Sequence, residues 1–510
     1  MRFLVRSYLV ATIFASGSFI HAMVPNADPF FYTWIQSGNP YRKTVAKVKS
    51  SDLSDAEKNF LQNRSVVVKQ AVETIVSQSI TVNQVPRIAV AGSGGGYRAM
   101  ISLIGALEGL QNNGLLDAIT YLGGVSGGTW CIMPWVASGE SITNFKLDLF
   151  PTLAQGLLNI TAARDVNNVA ITLLAKWVLK QPVGLVDLYG ATLANNLLLD
   201  NKLMRLGQDL SPLVADGSYP LPIGCALGGN DVQSYRWFEF SPFEIGSTEL
   251  NAYIPTWALG RAFNKGTSTD FAPEQNLGFF LGTFGSAFAE TCYKDAYKIL
   301  VAKLLAKNQT VLSQVVKNMM NDYQCKKDIG GGVVNNFMLG LPSNPFAQIQ
   351  QLSFIDAGIT FHAATGIGSD IPLLPFLRDG RAIDILIIFD ASDDLDGAPE
   401  LNNAVSYAKK LGYPMPDINY AQASKQAITI FKNPNNTKVP VIIYMPNIQN
   451  NSYSLTFDPR ACAAQGYCSS ANFAYTQAQA QELSGLVTYN VTQNKDVIYQ
   501  TIRDVVARKS

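Results

Sequence analysis

Histidine is almost absent from this chain. The 510 residues include two, His21 and His362. His21 falls in a leading apolar stretch that reads as a removable signal, so a Ser-His-Asp arrangement has one histidine to draw on, His362. If His362 is a bystander, the base for any hydrolytic serine must be a carboxylate, and a carboxylate with an ordinary pKa near ~4 needs burial to serve as a base. Charge is scarce too. Asp, Glu, Lys and Arg make up 15% of the chain, against roughly 25% in an average soluble protein. The net charge is +1 and there is no basic run. That excludes nucleic acid as an expected partner and argues against membrane binding driven by anionic lipid charge. Six cysteines are too few and too scattered for a disulfide scaffold, and no spacing among them suggests zinc. Internal repeats, low-complexity tracts and clear linkers are all missing. Nothing predicts a metal, a cofactor or a protein partner.

What is present is a large apolar fraction, 47%, enough for one large core or two sub-domains. Arg2 and the apolar stretch 7-SYLVATIFASGSFI-20 read as a secretory signal with cleavage after Ala22. The expected organisation is therefore a signal at 1–22 and a catalytic domain at 23–510. The leading stretch is too short for a confident membrane span, and the end, 504-DVVARKS-510, lacks the apolar tail of a lipid-anchor signal. A secreted or lumenal location is expected, extracellular or lysosome-like. One or two disulfides suit that compartment, and Cys462–Cys468 is spaced to close a surface loop. Sequons at Asn63, Asn159, Asn308, Asn435, Asn450 and Asn490 agree with it.

The order of elements is informative. Ser54 and Glu57 form an expected capping box for a helix running to about Ser77. The apolar strand 87-RIAVA-91 leads into a glycine turn, then a buried helix over 98–110. A second strand, 118-AITYLG-123, runs into another glycine turn. Later strands are 384-DILIIF-389 and 439-VPVIIYM-445, and a last helix, 497–508, puts Ile498, Ile502 and Val505 on one face. This predicts an α/β fold: a central mixed sheet flanked by helices, with a strand–elbow–helix motif. From about 140 to 345 the pattern shifts to helices and loops and reads as a largely helical, cap-like insertion. Within it, Val166, Val169, Ala170, Leu173 and Trp177 share one helical stripe, read as a core helix before a lipid-facing one. The turn 373-LLPFL-377 likewise reads as core before membrane.

The two glycine turns carry the chemistry. Gly124-Val125-Ser126-Gly127-Gly128 fits the G-x-S-x-G elbow, in which glycines allow a sharp strand-to-helix turn that lifts the serine oxygen out of the sheet. In 92-GSGGGYRAM-100, the glycine amides at a helix start suit a developing oxyanion. Phosphate-binding patterns fit less well. G-x-G-x-x-G fails at Tyr97, and no G-K-[ST] follows. Arg98 is either a solvated helix charge or a forked contact to a substrate phosphate. The acidic run 390-DASDDLDG-397 fails as a calcium loop, with Ser392 and Asn403 standing where carboxylates belong. It reads as a solvated loop.

At these residues the chain resembles the lysophospholipase / phospholipase B family, whose catalytic domain is shared with cytosolic phospholipase A2. The resemblance rests on 92-GSGGGYRAM-100, 124-GVSGGTW-130, 238-FEFSPFEIGS-247, 278-GFFLGTFGSAF-288 and 355-IDAGITFH-362 with 372-PLLPFLRDGRAIDILIIFDAS-392, in that order. It implies a serine–aspartate dyad in which Ser126 is the nucleophile and Asp356 the base. Gly95 and Gly96 would form the oxyanion hole, and Arg98 would hold the substrate phosphate or shape the site. It implies hydrolysis of phospholipids or lysophospholipids, presented in micelles or membranes, through an acyl-enzyme and without calcium. The calcium-binding module of the cytosolic relatives is expected to be absent. Two departures stand out: His362 replaces the family's asparagine, and 363-AATGIGSD-370 is longer than the family pattern. Asp370, Asp384 and Asp390 are the alternative carboxylates. The competing readings are an α/β-hydrolase-type esterase with His362 as base, and a catalytically silent lipid-binding protein.

Overall fold

The computed structural model describes residues 33, 35–156, 163–199, 202–231, 233–287, 331–358 and 366–509. The expected signal at 1–22, His362, Cys292, Cys325, Asn159 and Asn308 lie outside the described residues. Eleven strands form one sheet. In chain order they are β1 (Ile88–Gly92), β2 (Ile119–Val125), β3 (Leu221–Gly229), β4 (Arg236–Phe240), β5 (Glu244–Ser247), β6 (Ala252–Pro255), β7 (Gly332–Asn335), β8 (Gln351–Ile355), β9 (Ile385–Asp390), β10 (Thr429–Phe431) and β11 (Val441–Pro446). Across the sheet they run β10-β11-β9-β1-β2-β3-β4-β5-β6, and β8 pairs with β3 and β7. The central strands β11, β9, β1, β2 and β3 are parallel, with antiparallel strands on either side. Every residue of β1, β2, β3, β9 and β11 is buried. That explains their unbroken apolar runs: helices cover both faces, so no polar alternation is needed.

Helix α1 (Asp55–Val76) packs through Phe60, Val68, Val72 and Ile75. Ser54 accepts the Glu57 amide at 3.2 Å as expected of an N-cap, but the reciprocal half of the capping box is not made. Glu57 instead turns into the core and meets Arg381 and Tyr121. Helix α2 (Gly96–Asn112) is almost wholly buried, and α3 (Gly127–Ser138) follows β2 directly. The stretch from 140 to 345 supplies the expected helices, among them α4 (Ala163–Val178), α5 (Leu185–Leu197) and α6 (Leu277–Phe284), and also contributes β3 to β7 to the sheet. On α4, Val169 and Leu173 are buried, in line with the core reading, while the side chains of Val166, Ala170 and Trp177 lie outside the description. Leu373 and Phe376 are buried as a core turn. Beyond β9 come α7 (Pro399–Lys410), α8 (Gln477–Gln493) and α9 (Lys495–Arg508). Helix α8 lies across α2 where Gly105 has no side chain; a Cβ there would fall 2.1 Å from the Ser484 carbonyl oxygen.

A buried ionic cluster ties these layers together. Arg381 reaches Glu57 at 2.8 Å and both Glu239 oxygens at 2.7 and 2.8 Å. Arg378 binds Glu239 at 2.6 Å and Glu244 at 2.8 Å and stacks 3.7 Å above the Tyr253 ring. Burial alone would raise the Glu57 carboxyl, but Arg381 and Arg378 outweigh it and hold Glu57 below the usual carboxylate range. The basic stretch near 378 and the glutamates of 238-FEFSPFEIGS-247 are thus one device. It clamps α1, β4, β5 and the turn after Asp370 to each other.

Cys462 and Cys468 are joined in a disulfide, as expected, while Cys131 and Cys225 are buried free thiols. Of the described sequons, Asn490 is buried and accepts a 2.7 Å hydrogen bond from Asn450, so the folded chain cannot present it to a glycosylating enzyme. Among the described residues no helix is long and apolar enough to cross a membrane. Removing one member of a buried ionic cluster leaves uncompensated charge. Arg381→Ala should therefore lower the unfolding free energy by about 3–5 kcal/mol, read as a shift of the urea midpoint. Lys58→Ala, which breaks only the exposed pair with Asp55, should leave that midpoint in place.

Candidate active site

The carboxyl ends of parallel strands form a crevice where substrates bind in open α/β sheets. Strand β2 delivers Ser126 there. Its backbone is at φ 47°, ψ −118°, in the left-handed half of the map where a residue with a Cβ is strained by roughly 1–3 kcal/mol. The strain has a visible consequence. A serine before a helix normally caps it by accepting an amide, but Ser126 makes no such bond with its side chain. Only its carbonyl engages α3, accepting from Thr129 and Trp130 at 3.0 and 3.2 Å. The hydroxyl is left over for other work, at the positive end of the helix dipole.

The first turn sits against this elbow. Gly95 has φ 122° and Gly96 φ 60°, and α2 begins at Gly96. A Cβ on Gly127 would lie 2.0 Å from the Gly96 carbonyl oxygen, and one on Gly128 would lie 2.5 Å from that of Gly92. The two turns therefore touch backbone to backbone. The Gly94 amide is spent on the Asp370 carbonyl at 2.9 Å. The amides of Gly95 and Gly96 donate to no acceptor among the described residues, which is the condition an oxyanion hole requires.

Asp356 follows β8 directly; β8 pairs antiparallel with β3 just beyond the level at which β2 ends, so it runs toward the end of β2 where Ser126 stands. Its amide donates to Ser286 Oγ at 2.9 Å, and its Oδ1 accepts from the Gly358 amide at 2.9 Å. Ser286 belongs to the segment 278-GFFLGTFGSAF-288, and nothing in its local sequence indicates this contact with Asp356, 70 residues further along the chain. Burial pushes the Asp356 carboxyl up to about 7, with the Gly358 amide and the Ser126 hydroxyl partly opposing. Ser126 Oγ is itself buried and makes no hydrogen bond of ordinary geometry among the described residues. The hydroxyl is thus close enough to stabilise the carboxylate yet not locked to it, a common state for a nucleophile and its base before substrate arrives.

Arg98 is buried, not solvated. Its Nε donates to the Ala391 carbonyl at 2.7 Å, and Nη1 contacts Asp393 and, at 3.1 Å, the Cys468 carbonyl. Asp393, read from the sequence as part of a solvated loop, is therefore a partner of the site. Among the described residues Nη2 has no hydrogen-bond partner, and it faces Gly95, where a Cβ would lie 2.6 Å from it. The disulfide loop thus holds one side of the guanidinium while the other points at the glycine turn. Among the alternative carboxylates, Asp384 lies at the opposite end of β9 and binds the Arg87 amide and Lys509. Asp390 is spent on Ser392 and Tyr444. Asp370 borders the site. Its Oδ1 stands 2.2 Å from where a Gly94 Cβ would be. Among the described residues no group of three or more His, Cys, Asp or Glu side chains is arranged to hold a metal.

The elbow is braced from behind. Trp130 donates to the Leu281 carbonyl at 2.9 Å and fills the space a Gly285 side chain would need. Tyr97 packs edge-on against Trp130 and Phe473 at 6.0 and 5.5 Å. Gly127→Ala should separate the two turns. The expected outcome is a loss of about 1–3 kcal/mol in thermal unfolding, with Ser126 labelling by a fluorophosphonate lost to a greater degree than stability.

Comparison with known proteins identifies the family and the fold. Residues 88–410 match the family model described as the lysophospholipase catalytic domain. Cytosolic phospholipase A2 zeta of Mus musculus is 26% identical over 553 residues, covering 90% of this chain and 62% of the relative. Its Homo sapiens counterpart is 35% identical over 254 residues, 47% of this chain and 29% of the relative. The chain thus spans about three fifths of the length of the mouse relative. Among solved structures, human GIVD cytosolic phospholipase A2 aligns with a TM-score of 0.74 at 20% identity, over 90% of this chain and 68% of that one. The same enzyme in complex with methyl gamma-linolenyl fluorophosphonate gives 0.69 at 21% identity, over 90% and 65%. At these identities the likeness is one of fold, a mixed central sheet flanked by helices.

Proposed function

The chain belongs to the lysophospholipase catalytic domain family, a family of lipid ester hydrolases, and on that premise we propose that it releases fatty acids from phospholipids or lysophospholipids through a Ser126–Asp356 dyad. The observation that carries the reading is the pairing of a buried serine oxygen, freed from helix capping by a positive φ, with an aspartate whose carboxyl burial holds at about 7. A carboxyl poised there is a far better base than one near ~4. In the proposed cycle Asp356 takes the Ser126 proton as the oxygen attacks the ester carbonyl. The Gly95 and Gly96 amides receive the oxyanion, and the leaving alcohol departs with the proton. Water then attacks the acyl-enzyme by the same route and frees the acid. Arg98, whose Nη2 lies beside Gly95 without a partner among the described residues, is proposed to hold the substrate phosphate. The cycle uses no calcium. A secreted or lumenal location is proposed with it, supported by the signal-like N-terminus and the Cys462–Cys468 disulfide.

The testing experiment offers lysophosphatidylcholine and diacyl phosphatidylcholine side by side, with chelator present. Wild type should release fatty acid, and Ser126→Ala and Asp356→Asn should each lose about 10³–10⁴-fold. His362→Ala should keep at least about a tenth of the rate, since the dyad does not use it; full loss would replace the dyad with a histidine triad. No release by a folded wild type, and no fluorophosphonate labelling, would favour a binding role.

The pH dependence has a defined sign. Asp356 works as the carboxylate, so kcat/KM should fall about tenfold per unit as pH drops below about 7. Stability moves the other way. The folded-state pKa is raised, so the contribution of Asp356 is full below about 4 and is lost as pH rises toward about 7. Asp356→Asn should therefore be inactive yet more heat-stable than wild type at pH 8, by roughly 1–3 kcal/mol.

A further inference from the structure

Asp370 stands where the two turns and the base converge. One methyl added at Gly94 would touch both Asp370 Oδ1, at 2.2 Å, and Ser126 Cβ, at 3.3 Å. One added at Gly358 would touch both Asp370 Oδ1, at 1.8 Å, and Asp356 Oδ1, at 3.4 Å. The backbone is pinned on both sides: its carbonyl accepts the Gly94 amide at 2.9 Å, and its amide donates to Glu400 at 2.7 Å. Part of the residue reaches solvent, but the carboxyl end is enclosed. That carboxyl accepts no hydrogen bond from any described residue, whereas Asp356 has the Gly358 amide and Asp390 has Ser392 and Tyr444. Its charged surroundings are one-sided. Asp390 faces it from the end of β9, Glu400 from α7, Asp356 from beyond β8, and Arg98 from α2. Arg98 is the lone cation among them, and its Nε and Nη1 are committed elsewhere. Burial first, then Glu400, Asp356 and Asp390, push the Asp370 carboxyl well above the ordinary carboxylate range.

We propose that Asp370 is a further catalytic carboxyl of this site, a neutral acid that donates a hydrogen bond to the ester oxygen held at the Gly95–Gly96 turn. The inference rests on the Ser126–Asp356 reading. A carboxyl with no donor among the described residues and three carboxyl neighbours is far cheaper to hold as COOH than as COO⁻. In that form its O–H can be offered to an oxygen that enters the crevice, with the neighbouring carboxylates as competing acceptors. It keeps its proton throughout, so it supplements the two glycine amides without taking part in proton transfer. Once ionised it would set a negative charge beside the forming oxyanion and shut the site. Asp356 must be ionised and Asp370 must not be, which makes activity bell-shaped in pH, with one carboxyl on each limb.

The test compares wild type, Asp370→Asn and Asp370→Ala across about pH 6 to 10, by fatty-acid release from lysophosphatidylcholine and by the rate of Ser126 labelling with a fluorophosphonate. The amide of Asn can donate but cannot ionise. Asp370→Asn should stay within about tenfold of wild type near neutrality and lose the alkaline limb, while Asp370→Ala should fall about 10²-fold, the cost of one oxyanion donor. Thermal unfolding supplies a readout apart from activity: Asp370→Asn should gain stability over wild type at pH 9 but not at pH 5. If the alkaline limb survives in Asp370→Asn, or Asp370→Ala keeps full rate, the proposal is overturned. If Asp370→Ala does not fold, the profile and stability of Asp370→Asn decide. An active wild type whose rate survives Asp356→Asn overturns the dyad instead. The pH shift in stability then still reports whether Asp370 holds a proton.

Discussion

Backbone-to-backbone contact between the two glycine turns is the constraint on which the site depends. Gly127 lies against the Gly96 carbonyl and Gly128 against that of Gly92, at distances no Cβ could share. This contact brings the Ser126 hydroxyl beside the free amides of Gly95 and Gly96. It also sets the start of α2 and the start of α3 side by side, so two helix dipoles present their positive ends to one small volume. The aromatic brace of Tyr97, Trp130 and Phe473 and the close passage of Trp130 over Gly285 are what keep the turns from drifting apart.

The protein holds two groups of buried carboxylates and gives them different partners. Glu57, Glu239 and Glu244 are met by Arg378 and Arg381 in forked contacts. That group is structural glue between α1, β4, β5 and the segment following Asp370. Among the described residues Asp370 and Asp390 have one arginine between them, Arg98, much of it occupied, and Asp356 and Glu400 have none. Burial therefore raises their carboxyls, since desolvation disfavours charge wherever no cation answers it. A fold that concentrates its arginines on one group and leaves the other with little cation to answer it holds those carboxyls above the ordinary carboxylate range. This is how a chain with almost no histidine can still supply a base.

Arg98 links the site to the C-terminal part of the chain. Its contacts with Ala391, Asp393 and the Cys468 carbonyl make the disulfide loop a wall of the site. The small loop closed by Cys462 and Cys468 thus acts on the guanidinium through its backbone, and the position of Nη2 over Gly95 depends on it.

Much of this was legible in the chain as written. Apolar runs without polar alternation marked the buried parallel strands, because helices cover both faces. The glycine spacing marked both turns, because only glycine tolerates their φ values and close approaches. The scarcity of histidine pointed to a carboxylate base, since a base must have some side chain to be. Local pattern could not show what side chains distant in sequence would meet. Glu57 read as a cap and proved to be a buried partner of Arg381, because a capping box and a long-range ion pair use the same residue. Asp393 read as solvated loop and proved to contact Arg98. Asp370 was one aspartate among several, and Asp384 and Asp390 looked equal to it. Only the tertiary structure separated them, by giving Asp384 an amide and a lysine, Asp390 two hydroxyls, and Asp370 no donor among the described residues. Burial and partners decide a carboxyl's charge, and both are properties of the folded chain.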